Sequence, residues 1–337
     1  MHALAHARHD FYQLPEYVEL VAKYEGGEPV AFYAEDNGIV FLAPLLLRKL
    51  PADLNAPADW YDAVTSHGYP TPIMSPAGNA ADLERFFGCF KQLGAERGII
   101  SAFFRMHPLL ALPLDVLSVQ GLAVNHGQTV YMDLSVSCED IWAQIRRNHK
   151  RDIKKLVKEG FQVGIDDGGR FHEFSDIYAM TMERVGAQEF FRFSDDYFND
   201  LRLALGERLK MCTVLSPSGE LASAVLCVVT NGIMQCYLGA TSDAHLGQAP
   251  SKLVYDFAWR WGKAHECRFL FLGGGAGGES GSIMRLKIGF SKSLADFYTY
   301  RMVLDESRYE VLMRNRKESH NEVSDEGSNF FPEYRRP

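Results

Sequence analysis

The richest stretch for chemistry is LGGGAGGESGSIMRLKIGFSKS, Leu272 to Ser293. Glycines follow an apolar run, and Arg285 and Lys287 stand just behind them. Glycine lets backbone approach a ligand closely and adopt unusual φ. Two fixed cations behind such a loop suit a phosphate or a carboxylate. A second candidate is LGATSDAHLGQAPSKL, Leu238 to Leu253, which enters a helix through Pro250. Proline is favoured at the first helical position. The freed N–H groups and the helix dipole there favour an anion, with Gly247, Gln248, Ser251 and Lys252 at hand. A third is Val64 to Pro72, VTSHGYPTP, where Ser66, His67 and Tyr69 fit a substrate-facing loop. Each also has a bland reading, as a mobile loop, a strand-to-helix connection or a turn.

The fourth candidate is one basic helix from Glu139 to Gly160. Ile141, Trp142, Ile145, Ile153, Leu156 and Val157 form its expected buried stripe. Arg146, Arg147, Lys150, Arg151, Lys154, Lys155 and Lys158 then make a local positive field for phosphates or RNA, or simply a solvated face. For proton transfer the candidates are His245, Asp243 and Glu279, in that order. His245 leads because imidazole titrates nearest neutral pH.

Other chemistries lack their signatures. The sequence has no G-x-x-x-x-G-K-[ST], no H-E-x-x-H, no nucleophile elbow and no G-x-G-x-x-G opening a βαβ unit. The cysteines (Cys89, Cys138, Cys212, Cys227, Cys236 and Cys267) form no C-x-x-C pair and sit mostly in apolar runs. They read as small hydrophobes in a reduced, cytoplasmic protein. His2, His6 and His9 share a helical spacing that can bind a metal, but a frayed terminus explains them better. No metal is expected.

An internal echo supplies the elements that position these residues. Gly27-Glu28, PVAFYAED, Asn37-Gly38 and IVFLAPLLL are mirrored by Gly219-Glu220, LASAVLCVVT, Asn231-Gly232 and IMQCYLGAT. Asn-Gly between apolar runs is a strong hairpin signal, since a type I′ turn needs positive φ at both central positions. A helix and a strand follow each hairpin: Asp82 to about Gly94 then IISAFF, and SKLVYDFAWRWGKAHE then RFLFL. In the second helix Leu253, Val254, Phe257, Ala258 and Trp261 mark the face that packs on a sheet. Two mixed α/β domains of one design are expected, with a boundary between Gln120 and Thr129. Phe330-Phe331-Pro332 predicts that the tail docks back onto the body.

The chain has 337 residues, 47% hydrophobic and 23% charged, with a formal charge of −8. That suits a folded chain of about two domains. An acidic average argues against broad nucleic-acid coating. The N-terminal MHALAHARHDFYQ is too polar for a secretory leader, and FLAPLLL and AVLCVV are too short to span a bilayer.

The runs IWAQIRRNHKRDIKKLVKEGFQV, APSKLVYDFAWRWGKAHECRFLFLGGG and SIMRLKIGFSKSL resemble the FemAB-like branch of the GNAT superfamily of N-acyltransferases. APLLLRKLP, SHGYPTPI, FFRMHPLL and the closing FFPEYRRP fit the same group, so the resemblance covers nearly the whole chain. It implies an α/β fold with mixed sheets in two tandem GNAT-like domains, 1–125 and 126–315, and a tail, 316–337, returning to the first. It implies an acyl donor, a coenzyme A thioester or an aminoacyl-tRNA, and an amine acceptor. The expected activity is N-acyl transfer from acyl-CoA to a nucleotide-linked amino sugar for cell-surface polysaccharide. The alternatives are a tRNA-dependent peptidoglycan cross-bridge aminoacyltransferase and a non-catalytic GNAT-like binding module. The usual pyrophosphate phrase, Q/R-x-x-G-x-G/A, is replaced by His245-Leu246-Gly247-Gln248-Ala249. Lys287 matches the family's basic residue before the Gly-Phe pair, and Arg285 is taken as a substrate contact.

Overall fold

A computed structural model describes residues 2–110, 112–275, 281–320 and 330–336. In chain order its strands are β1 (Glu28–Asp36), β2 (Ile39–Lys49), β3 (Tyr61–Val64), β4 (Ile73–Met74), β5 (Ile99–Arg105), β6 (Leu122–Asp133), β7 (Gln162–Asp166), β8 (Leu209–Leu215), β9 (Leu221–Thr230), β10 (Ile233–Thr241), β11 (Phe269–Gly273) and β12 (Ser293–Val303). The helices are α1 (His2–His6), α2 (Pro15–Glu25), α3 (Ala80–Glu96), α4 (Cys138–Gln144), α5 (Arg147–Lys158), α6 (Phe171–Arg184), α7 (Asp195–Leu205), α8 (Ser251–Ala264), α9 (Ser282–Ile288) and α10 (Glu306–His320).

The chain divides into two units, 1–126 with 297–337, and 127–296. Residues 297–315, read above with the second domain, group with the first, because β12 pairs antiparallel with β5 (Thr299↔Arg105 to Val303↔Ser101).

In the first unit the sheet runs β1-β2-β3-β5-β12, with β4 on β2. β1, β2 and β3 are antiparallel, and β3 pairs parallel with β5. The connecting helix α3 starts at Asn79, whose side chain accepts from the N–H groups of Ala81 and Asp82. Its Phe86, Phe87 and Phe90 pack on Phe41 and Phe104. Tyr334, 1% exposed, meets the Ser101 hydroxyl at 2.6 Å.

In the second unit the sheet runs β6-β11-β10-β9-β8-β7. Here too three antiparallel strands, β8, β9 and β10, lead to a parallel pair, β10 and β11. The connection is α8, whose Leu253, Val254, Ala258 and Trp259 are buried. Trp259 belongs to the inner face and Phe257 and Trp261 are only half-buried. The Trp259 indole N–H donates to Asp256 at 2.8 Å, which satisfies it inside the core.

Both Asn-Gly turns have the expected conformation: φ is 50° and 76° at Asn37 and Gly38, and 47° and 76° at Asn231 and Gly232. The echo is nevertheless shifted by one strand. By sheet position β9-β10 corresponds to β2-β3, whereas the echoed hairpin is β1-β2. Turn chemistry is local, so it can recur at a different hairpin of the same plan.

The expected single basic helix is two, α4 and α5, broken at Ile145-Arg146. The Arg146 N–H leaves the helix to donate to the Gly289 carbonyl at 2.9 Å. The break re-phases the buried stripe: His149, Ile153 and Leu156 face inward, while Val157 is 60% exposed.

Candidate functional site

The second unit's site grows from the parallel pair. β10 and β11 pair only from Ile233↔Phe269 to Gln235↔Phe271. β10 runs on to Thr241 against β9, with a register shift between Cys236 and Leu238. Past Gln235, then, one edge of β10 has no strand partner among the described residues, although the Cys236 carbonyl accepts from the Gln235 amide at 3.1 Å and the Thr241 N–H donates to the Thr181 hydroxyl at 3.2 Å. Gln235, 2% exposed, leaves its Oε1 without a hydrogen-bond partner there. The Tyr255 hydroxyl lies over the face of β10, 3.7 Å from where a Cβ on Gly239 would stand. Burial pushes the Tyr255 phenol up, so it stays protonated.

Lys287 closes this region. Its ammonium donates to the Gly274 carbonyl just past β11. Burial pushes its pKa down to about 8, and neighbouring Cys236 pulls the other way. A cation with that pKa can stabilise an oxyanion in a water-poor site. Arg285 is exposed and two residues away on the same helix, so it lies on the opposite face.

The loop Asp243–Gln248 leads to α8. His245 uses both ring nitrogens, 2.9 Å from Gln248 Oε1 and 3.2 Å from Glu220 Oε2. Asp243 pairs with Arg184. Neither residue shares a partner with Lys287. Glu279 lies outside the described residues. Gly247 is exposed with nothing within 4 Å of an added Cβ, and Ser251 is half-buried at the start of α8. Lys252 reaches across to Asp152 at 2.6 Å.

The first unit holds a separate polar cluster. Ser66 is 2% exposed and its Oγ has no hydrogen-bond partner among the described residues. Arg105, at the end of β5, donates through Nη1 to the carbonyls of Thr65 (2.9 Å) and Ser66 (3.4 Å). Burial lowers the Arg105 pKa to about 10, with Glu25 opposing that and Arg48 adding to it. Burial drives His67 to about 3, so its ring is neutral. Glu25, exposed at the end of α2, is raised to about 7 by desolvation of its carboxyl, although Arg105 and Arg48 hold it down. Tyr69 packs edge-on to Phe297 at 5.1 Å and to Tyr12 at 6.2 Å. Gly68, at φ 102°, admits the Tyr12 ring where a Cβ would collide at 2.3 Å. A hydroxyl and a desolvated guanidinium side by side suit a carboxylate or phosphate.

The sequence reading missed Arg105, Glu25, Tyr255, Gln235 and His149. Arg105 had a signal, a lone charge ending the apolar run IISAFF. The others depend on tertiary neighbours. Of the cysteines, Cys212, Cys227, Cys236 and Cys267 are buried, while Cys89 and Cys138 are exposed. Among the described residues, no group of three His, Cys, Asp or Glu is placed to hold a metal ion. Nor is any helix long and apolar enough to cross a membrane.

Residues 143–279 match the profile of the family described as "Acetyltransferase (GNAT) domain". FemX is similar in structure, with a TM-score of 0.73 at 14% identity over 91% of this chain and 95% of that one. The C-terminal domain of a putative lysylphosphatidylglycerol synthetase from Agrobacterium fabrum follows at 0.55 and 12%, over 88% and 90%. L-PGS from Bacillus licheniformis gives 0.54 and 12%, over 92% and 98%. At such identities the likeness is one of fold. No curated protein matches the sequence.

Proposed function

We propose, from the premise that this chain is an acyltransferase with a GNAT domain and the fold of the FemAB-like branch, that it moves an acyl group from acyl-CoA to the amine of an anionic acceptor. The acceptor we favour is a nucleotide-linked amino sugar for cell-surface polysaccharide, handled in the cytoplasm. One observation carries the reading: β10 parts from β11 beside Lys287 and the Tyr255 hydroxyl. The open edge of β10 and the start of α8 fit the extended, anionic arm of coenzyme A. The thioester supplies the activated carbonyl.

The residues then divide the work. Lys287 steadies negative charge on the carbonyl oxygen as the amine attacks. The Tyr255 O–H, which keeps its proton, donates a hydrogen bond to the departing thiolate, and the thiolate takes its proton from water. Amino-sugar amines titrate close enough to neutrality that water can take theirs. We assign His245 and Asp243 to holding the loop that precedes α8. Gly247, Gln248, Ser251 and Lys252 remain our donor-side residues. Ser66, His67 and Tyr69, with Arg105, remain our proposed substrate-binding residues of the first unit, and Arg285 stays a proposed substrate contact.

The test is thiol release from a panel of acyl-CoAs with UDP- and dTDP-amino sugars. Turnover with one pair is expected, and silence across the panel removes the reading. A second reading, an aminoacyl-tRNA donor, is favoured by α5. Arg147, Arg151, Lys154 and Lys158 are exposed and fall on one helical stripe. Arg147, Lys154 and Lys158 make no ion pair among the described residues. Lys154→Glu with Lys158→Glu should leave acyl-CoA turnover within about twofold, and abolition of activity would favour RNA.

A further inference from the structure

The helix that carries Lys287 is only seven residues long, Ser282–Ile288, and its N-cap Gly281 offers no side-chain cap. So short a helix does not hold itself in water. Its C-terminal end is gripped by α5. The His149 ring is buried, with Nε2 3.1 Å from the Leu286 carbonyl and its plane edge-on to Phe290 at 4.9 Å. One turn earlier, the Arg146 N–H donates to the Gly289 carbonyl. Gly289 has no room for a side chain, since a Cβ there would lie 2.1 Å from His149 Nε2. A carbonyl can only accept, so Nε2 carries the proton and donates it to Leu286. The carbonyl held in this way immediately precedes Lys287.

We propose that His149 is a positioning residue for acyl transfer: its ring N–H pins the Leu286 carbonyl and so fixes the backbone from which Lys287 reaches the reacting carbonyl. The proposal rests on the Lys287 role given above. The other ring nitrogen, Nδ1, lies 3.2 Å from Asn148 Oδ1, which also accepts the His149 backbone N–H at 3.0 Å. Burial lowers the His149 pKa, the Leu286 carbonyl and Asp152 of α5 oppose that, and Lys252 of α8 and Arg146 add to it.

Displacing a catalytic group by about 1 Å can cost up to roughly a hundredfold in rate. His149→Leu removes the N–H and keeps an apolar filling, whereas His149→Gln restores an N–H at about the same reach. With acyl-CoA and the acceptor found by the thiol-release screen, His149→Leu should lower kcat ten- to a hundredfold. The donor KM should stay within about threefold, and the alkaline limb near pH 8 should move upward as Lys287 gains water. His149→Gln should recover most of the kcat and the wild-type limb. Melting temperatures and circular dichroism check that both variants fold. A folded His149→Leu with wild-type kcat and limb overturns the proposal. So does a His149→Gln variant as slow as His149→Leu. Lys287→Met distinguishes the two ideas: if it retains turnover the lysine reading fails, whereas a dead Lys287→Met beside an unimpaired His149→Leu removes only the positioning role.

Discussion

At Arg105 a guanidinium sits at the end of an apolar strand, bonded to two backbone carbonyls and beside the orphaned Ser66 hydroxyl. A charge-assisted hydrogen bond to a ligand contributes about 1.5–3 kcal/mol. Arg105→Met should therefore raise the acceptor KM ten- to a hundredfold and leave the donor KM unchanged, as steady-state kinetics with each substrate varied will record. Glu25 adds a pH dependence. Although the residue is exposed at the end of α2, the protein around its carboxyl raises its pKa to about 7, so it loses its proton as pH rises through that value. As pH rises through 7 the carboxylate competes with an anionic acceptor for Arg105, and the acceptor KM should climb. Glu25→Gln should flatten that rise. A Glu25→Gln variant whose KM still climbs would place the anion elsewhere. Residues of this kind were poorly legible in the sequence. The role proposed for Lys287 comes from the family resemblance, through its place before Gly289-Phe290, whereas Arg105 and His149 have partners far along the chain.

Elements were more legible where their signals are local. Both Asn-Gly turns follow from the φ that a type I′ turn demands. α3 and α8 follow from apolar spacing. The break between α4 and α5 was not legible, because its cause is the bond from Arg146 to Gly289, an element that comes much later in the sequence. Trp259 is missing from the expected face of α8 for a related reason. Its burial depends on Asp256 accepting a hydrogen bond from the indole N–H, which hydrophobic spacing alone does not reveal. α8 also anchors the donor-side region, so its packing carries consequences. Trp259 is fully buried against the second unit's sheet, and Trp259→Ala should cost about 3–5 kcal/mol in urea unfolding. A loss below about 1 kcal/mol would mean that α8 is not held by this face.

For the molecule as a whole, the net charge of −8 is an average over unlike parts. It hides one exposed basic stripe on α5 and two desolvated cations, Arg105 and Lys287. Each unit repeats the same order of strands, three antiparallel and then a parallel pair. In the second unit that plan leaves an open strand edge beside the lysine, and the proposed chemistry depends on it. The most direct test is the pH profile of coenzyme A release by the wild type and by Lys287→Met. Burial sets the Lys287 pKa near 8, so its cation is present below that pH and lost above it. Wild-type kcat/KM should fall as pH rises through about 8. Lys287→Met should lose roughly a hundredfold or more, in line with removal of an oxyanion donor, and should show no such limb. A Lys287→Met enzyme with wild-type turnover and the same alkaline limb would contradict the account.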